Sequence, residues 1–132
     1  MIDYAERARA LVGTRFRPQG RGSHGLDCVG VVLATFGLSP ASARQDYRLR
    51  GDHETEAKQS LNRAFRLVAG NQPAAGDVML MRVATDQVHL AVRTQGGFVH
   101  AHAGIGRVVE TPGTPSWPLL GVYRFRTQRR SR

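Results

Sequence analysis

The sequence predicts an α+β fold, with helices first and an antiparallel sheet after them. Three observations carry this. The first 68 residues hold apolar stripes at helical spacing. After Pro73 the apolar residues fall in short alternating runs separated by Gly, Asp and Thr turn signals. The two patterns do not interleave, which separates this order from a βαβ arrangement.

Asp3 to Val12 reads as a helix with Tyr4, Ala8, Leu11 and Val12 on one face. Gly13 to Asp27 reads as loop, rich in Gly, Arg and Ser. Cys28 to Phe36 is a compact apolar run closed by Gly37 and Pro40. Its periodicity suits strand or helix, and helix is the expectation. Glu54 to Val68 reads as a helix whose stripe is Ala57, Leu61, Ala64, Phe65 and Val68. Strands are expected around Val78 and Leu80, then at Val88 to Arg93, Phe98 to Ala103, Arg107 to Thr111 and Leu120 to Arg126. There is no internal repeat and no dividing linker. Residues 1–126 are expected to form one domain, followed by a basic tail at 127–132.

Composition narrows the function. The net charge is +9, almost all of it Arg, with Lys58 the only lysine. Such a surface favours anionic partners. The few aromatics are not interleaved with the arginines, so nucleic acid ranks last among those partners. Cys28 is the only cysteine, so no intrachain disulfide forms. No apolar run is long enough for membrane insertion, and the residues after Met1 lack the apolar core of a secretory signal. The expectation is synthesis in a cytoplasm.

Cys28 follows Gly25-Leu26-Asp27 and opens the apolar run. At a helix N-terminus the free N–H groups and the positive dipole end favour a thiolate, and the same N–H groups suit an oxyanion. A thiol nucleophile needs a base, and the base needs an orienting partner. His89 and His100 fit those roles, each on an arm of a hairpin whose turn signal is Thr94-Gln95-Gly96-Gly97. A turn at Gly96-Gly97 puts Arg93 opposite His100 and leaves His89 about 13 Å from it along the strand. A turn at Thr94-Gln95 puts His89 opposite His100. One residue on, at Gln95-Gly96, the partner of His89 is His102. The chemistry requires one of the latter two registers, and the sequence does not choose between them.

These residues resemble the NlpC/P60 cysteine peptidases of bacterial cell walls. The resemblance spans most of the chain. It rests on Gly13-Thr14-Arg15-Phe16 with Leu26-Asp27-Cys28-Val29-Gly30, on Gly76-Asp77-Val78, on His89-Leu90-Ala91-Val92 and on Phe98-Val99-His100-Ala101. It implies a papain-like fold and a cofactor-free, metal-free thiol peptidase. The implied substrate is the peptidoglycan stem peptide, commonly at the D-γ-glutamyl to diamino acid bond. Asp27 would seat the substrate's amino group or cap the helix, and Phe16 would line the substrate site. Arg21 and Arg93 are candidates for substrate carboxylates. The family usually has Tyr at the position of Phe16 and often Ser at that of Val29, so two hydroxyls near the nucleophile are missing here. The short peptidases of phage tails and gene transfer agents are the nearest look-alikes, sharing the Gly-Thr-x-aromatic start and the Val122 to Phe125 ending. This implies tail-protein partners, delivery by a virion tail, and action in the host periplasm and cell wall.

Three other readings compete. A tail protein that keeps the fold without catalysis accommodates Phe16 and Val29. A zinc amidase would use His89, His100 and His102 as ligands. Gly20 to Gly25 spells G-x-G-x-x-G, but a dinucleotide site needs a hydrophobic strand before it, and Arg15 to Gln19 is not one. His24, close to Cys28 in sequence, is expected to be exposed.

Overall fold

The computed structural model describes residues 2–18, 20–22, 25–39, 54–85 and 87–126. The basic tail, His24, Pro40 and the side chain of Arg21 lie outside them. The elements run α1 (Tyr4–Arg9), β1 (Arg21–Gly22), β2 (Gly25–Leu26), α2 (Cys28–Phe36), α3 (Glu54–Ala64), β3 (Phe65–Leu67), β4 (Val78–Ala84), β5 (Gln87–Arg93), β6 (Gly97–His102), β7 (Arg107–Pro112) and β8 (Leu119–Phe125). This is the expected α+β order.

The main sheet has the order β3-β8-β4-β5-β6-β7 and every pairing is antiparallel. Strand alternation divides it into two faces. Val78 and Leu80, Val88, Leu90 and Val92, and Val99 and Ala101 join α2 residues Val31, Val32 and Phe36 in the main core. The intervening residues Met79, Met81, Ala91 and Phe98 form a smaller cluster on the other face, with Trp117 and Leu119 against it.

The run from Cys28 is a helix because its ends are capped and its sides are buried. Asp27 caps the start, its Oδ1 accepting from Gly30 N–H at 2.8 Å. Gly37 ends it in the left-handed conformation at φ 67°, where a side chain would be strained. Tertiary burial overrides the weak helix preference of Val29, Val31 and Val32.

Two expected boundaries shift, and one expected loop carries strands. The first helix stops at Arg9, and Ala10 to Gly13 form turns. The third helix stops at Ala64 rather than Val68: Phe65 to Leu67 leave it to pair with β8, Phe65 directly opposite Phe125. The outer edge of β8 offers backbone partners, and an aromatic cluster fixes the exchange. Phe36 and Phe65 meet edge to face at 4.9 Å, Phe65 and Phe125 likewise at 5.4 Å, and Tyr4 lies 4.8 Å from Phe36. The expected loop from Gly13 to Asp27 contains the small hairpin β1–β2. Its glycines answer a packing need, since a Cβ on Gly20 would meet the carbonyls of Gly25 and Arg17, and one on Gly25 would meet Arg17. A Cβ on Gly30 would run into the carbonyl oxygen of Gly20, so hairpin and helix approach backbone to backbone. Gly22 and Gly25 of the G-x-G-x-x-G run therefore pair in a hairpin packed on α2, with Gly20 just before it, and not in a strand-to-helix phosphate loop.

Candidate active site

Two routes through the fold converge on one end of the sheet. The first brings Cys28. Phe16 N–H donates to Gly106 O, and Gly106 N–H donates to His102 O, so residues 15 and 16 are tied to the loop beyond β6. Leu26 N–H donates to Arg15 O, and Arg17 N–H donates to Leu26 O. The chain then turns at Asp27 into α2, which packs on β5 and β6. Cys28 thus enters the core at the His102 end of β6. It is 1% exposed and lies in the main cluster with Val88, Leu90 and Ala101 on the α2 side of the sheet, whereas His89 and His100 alternate to the other face.

The second route brings the histidines. The β5–β6 hairpin turns at Gln95-Gly96: Thr94 N–H donates to Gly97 O, the Thr94 hydroxyl accepts from Gly97 N–H, and Arg93 pairs with Phe98. Of the three registers left open by the sequence, this is the one that aims His89 along the ladder toward His102. The ladder itself ends at Val92–Val99. Beyond that pair no further rungs join the two strands, and His89 reaches diagonally to His100. His89 Nε2 and His100 Nδ1 are 3.0 Å apart. Diagonal neighbours on one face of an antiparallel pair lie about 7–8 Å apart at the backbone, a gap that two imidazoles span. His102 goes elsewhere: its Nδ1 accepts from Ile105 N–H at 3.1 Å.

The histidine pair is enclosed. His100 is 2% exposed, stacks on Phe98 at 4.8 Å, and its Nε2 meets Thr111 Oγ1 at 2.9 Å. Trp117 covers both rings, 5.8 Å from His89 and 6.0 Å from His100. Burial pushes His89 down to about 3, helped by the neighbouring His100 and His102 charges. Burial, with His102 second, lowers His100 to about 4. Both imidazoles are neutral at physiological pH. In a neutral pair one nitrogen of each contact donates and the other accepts.

Phe16, expected at the substrate site, packs partly buried against the main core, and its backbone bridges Leu26. Asp27 is 1% exposed and acts as the N-cap of α2. Arg93 is four residues from His89, about 13 Å along the strand, and its guanidinium donates to Gly113 O. That position sets it apart from the histidine pair itself. Among the described residues no three His, Cys, Asp or Glu side chains are arranged to hold a metal. His89 and His100 face each other through one ring nitrogen each, and His102 turns to Ile105 N–H. Two residues at the site carry no sequence signal of their own, Thr111 and Trp117. Thr111 follows from the β6–β7 register, which pairs Phe98 with Thr111 and His100 with Val109.

An α+β chain with a cysteine opening the buried helix and a histidine pair on adjacent strands has the papain-like NlpC/P60 fold. NlpC1 from Trichomonas vaginalis superposes with a TM-score of 0.66 at 17% identity, over 95% of this chain and 44% of that one. The peptidoglycan hydrolase RipB from Mycobacterium tuberculosis gives 0.58 at 20%, over 92% and 62%. The P60 domain of an M. avium subspecies paratuberculosis antigen gives 0.58 at 17%, over 92% and 91%. In sequence, the chain is 26% identical over 106 residues to the murein DD-endopeptidase and LD-carboxypeptidase MepS of Escherichia coli K12, covering 80% of this chain and 51% of MepS. The chain thus spans about half the length of the curated relatives it matches. No protein-family model matches it. Among the described residues no helix is long and apolar enough to cross a membrane.

Proposed function

We infer that this protein is a cysteine peptidase that hydrolyses peptidoglycan stem peptides, with Cys28 as nucleophile, His89 as base and His100 as the orienting residue. The observation that carries the reading is the 3.0 Å contact of His89 Nε2 with His100 Nδ1 at the sheet end where Cys28 enters the core. Occupation of Nε2 by His100 leaves Nδ1 as the nitrogen of His89 that accepts the thiol proton.

The thiolate attacks the scissile carbonyl carbon. An S–C bond forms and the π pair moves onto oxygen. The oxyanion is held at the very start of α2, because the N–H groups of Gly30 and Val31 already donate to Asp27. His89 returns its proton to the leaving amine as the C–N bond breaks. Water, deprotonated by His89, then cleaves the thioester. A buried imidazole resists protonation, so the charge on His89 forms only together with the thiolate.

The D-γ-glutamyl to diamino acid bond is the proposed point of cleavage, and the similarity to MepS makes the D,D cross-link the competing bond. Delivery by a phage or gene-transfer-agent tail is supported by the resemblance at Gly13 to Phe16 and Val122 to Phe125, with action in the host cell wall. The test is digestion of purified peptidoglycan by wild type and Cys28→Ala, with EDTA as control and products read by mass spectrometry. Fragments cut at the glutamyl bond, dependent on Cys28 and indifferent to EDTA, support the whole reading. Fragments cut at the cross-link keep the peptidase and change the bond. No cleavage by either protein supports a structural tail component.

A further inference from the structure

We propose that Thr111 is a positioning residue that sets the direction of the histidine relay by accepting the Nε2 proton of His100. The inference rests on the peptidase reading for its consequence, but its geometry stands on its own. Three groups lie in line: His89 Nε2 to His100 Nδ1 at 3.0 Å, and His100 Nε2 to Thr111 Oγ1 at 2.9 Å.

Two proton arrangements satisfy this line. In the first, His89 Nε2–H donates to His100 Nδ1, and His100 Nε2–H donates to Thr111. His89 Nδ1 is then a bare lone pair, ready to take a proton. In the second, Thr111 donates to His100 Nε2, His100 Nδ1–H donates to His89 Nε2, and His89 carries its proton on Nδ1. That state cannot act as a base at Nδ1. The two differ only in which way every proton points, and the last acceptor decides between them.

The chemistry of Thr111 permits the first, and a protonated His89 requires it. A hydroxyl has two acceptor lone pairs and one proton, so Oγ1 takes the ring N–H and keeps its own O–H for another partner. His100 is 2% exposed, and a buried ring N–H without an acceptor is costly. The oxygen of Thr111 removes that cost for the Nε2–H tautomer. The same arrangement is the only one compatible with a protonated His89, whose Nε2–H must donate. Thr111 therefore holds the relay, at rest, in the pattern that proton transfer demands. Phe98, tilted over His100, and Trp117, edge-on to both rings, fix their planes but carry no oxygen or nitrogen acceptor for a ring N–H.

The experiment is nitrogen-15 NMR of the imidazoles in wild type, Thr111→Ser and Thr111→Val, with peptidoglycan cleavage measured on the same samples. The expected wild-type spectrum shows His100 protonated at Nε2 and bare at Nδ1, with His89 bare at Nδ1. Serine keeps that pattern and near wild-type turnover. Valine, equal in shape but without an acceptor, moves His100 toward the Nδ1–H form and lowers kcat about 10-fold or more with KM unchanged. A wild-type His100 protonated at Nδ1, or a valine variant with unchanged tautomers, overturns the proposal. If wild type cleaves no peptidoglycan, the peptidase reading fails, and the spectra still decide the role of Thr111.

Discussion

His89 meets His100 at 3.0 Å across a diagonal, although the strand register aims it at His102. The contact exists because the β5–β6 ladder stops three residues short of His89. Replacing His100 with Ala is expected to lower turnover on the order of 100-fold or more, since an unoriented imidazole loses its productive tautomer and plane. The same change at His102 is expected to cost less than about 5-fold, because His102 serves a local turn. Steady-state rates of the two variants decide which histidine orients the base, and equal losses would count against His100.

Cys28→Ala is expected to abolish peptidoglycan cleavage, a loss of at least about 1,000-fold, while leaving the circular dichroism spectrum intact. A buried sulfur contributes packing as well as chemistry, so the melting temperature should fall by a few degrees at most. Residual turnover near wild type would assign the nucleophile elsewhere.

The buried histidines make stability depend on pH. Their folded values, about 3 for His89 and about 4 for His100, lie below the ordinary 6.5. Between those values the unfolded chain binds more protons than the folded one. Their contribution is therefore fully present above 6.5 and is lost as the pH falls toward the folded values. Urea midpoints should be lower at about pH 5 than at about pH 7, with a smaller drop in a His89→Gln, His100→Gln double variant. An equal drop in the double variant would place the pH sensitivity in other groups.

Asp27→Ala removes the cap of α2 and is expected to cost about 1–2 kcal/mol, measured by chemical denaturation, whereas Asp27→Asn, which keeps an acceptor for Gly30 N–H, should cost less. Equal losses would mean that the carboxylate charge, rather than the capping bond, is what the helix start requires.

Gly30→Ala tests a backbone-to-backbone approach of the fold. The new methyl must displace the carbonyl of Gly20, and a cost of about 2 kcal/mol or more is expected. A neutral result would show that the β1–β2 hairpin shifts freely off the helix.

Much of this was legible in the chain. The order of helices and strands follows from periodicity, and the alternation Val88-His89-Leu90-Ala91-Val92 assigns each residue to the face on which it is found. The helix at Cys28 was ambiguous because Val-rich runs suit either structure; Asp27 and Gly37 at its ends were the better guide. Phe65 misled because one aromatic can complete a helical stripe as well as a strand, and only the edge of β8, sixty residues later in the chain, decides between them. The histidine partner was beyond reach for a related reason. A ladder that stops early leaves no mark in sequence, and neither does a threonine whose importance lies in which strand its hydroxyl faces.

The position of β8 has a further consequence. Leu119–Phe125 lies between β3 and β4, in the interior of the sheet rather than at its rim. Until these residues leave the ribosome, β3 has no partner and β4 is paired on one side only. A chain still in synthesis holds Cys28 and His89 already made but lacks the strand that unites the sheet. Joining β3 to β4 through β8 is thus a pairing across a long stretch of chain, a kind of contact that forms slowly.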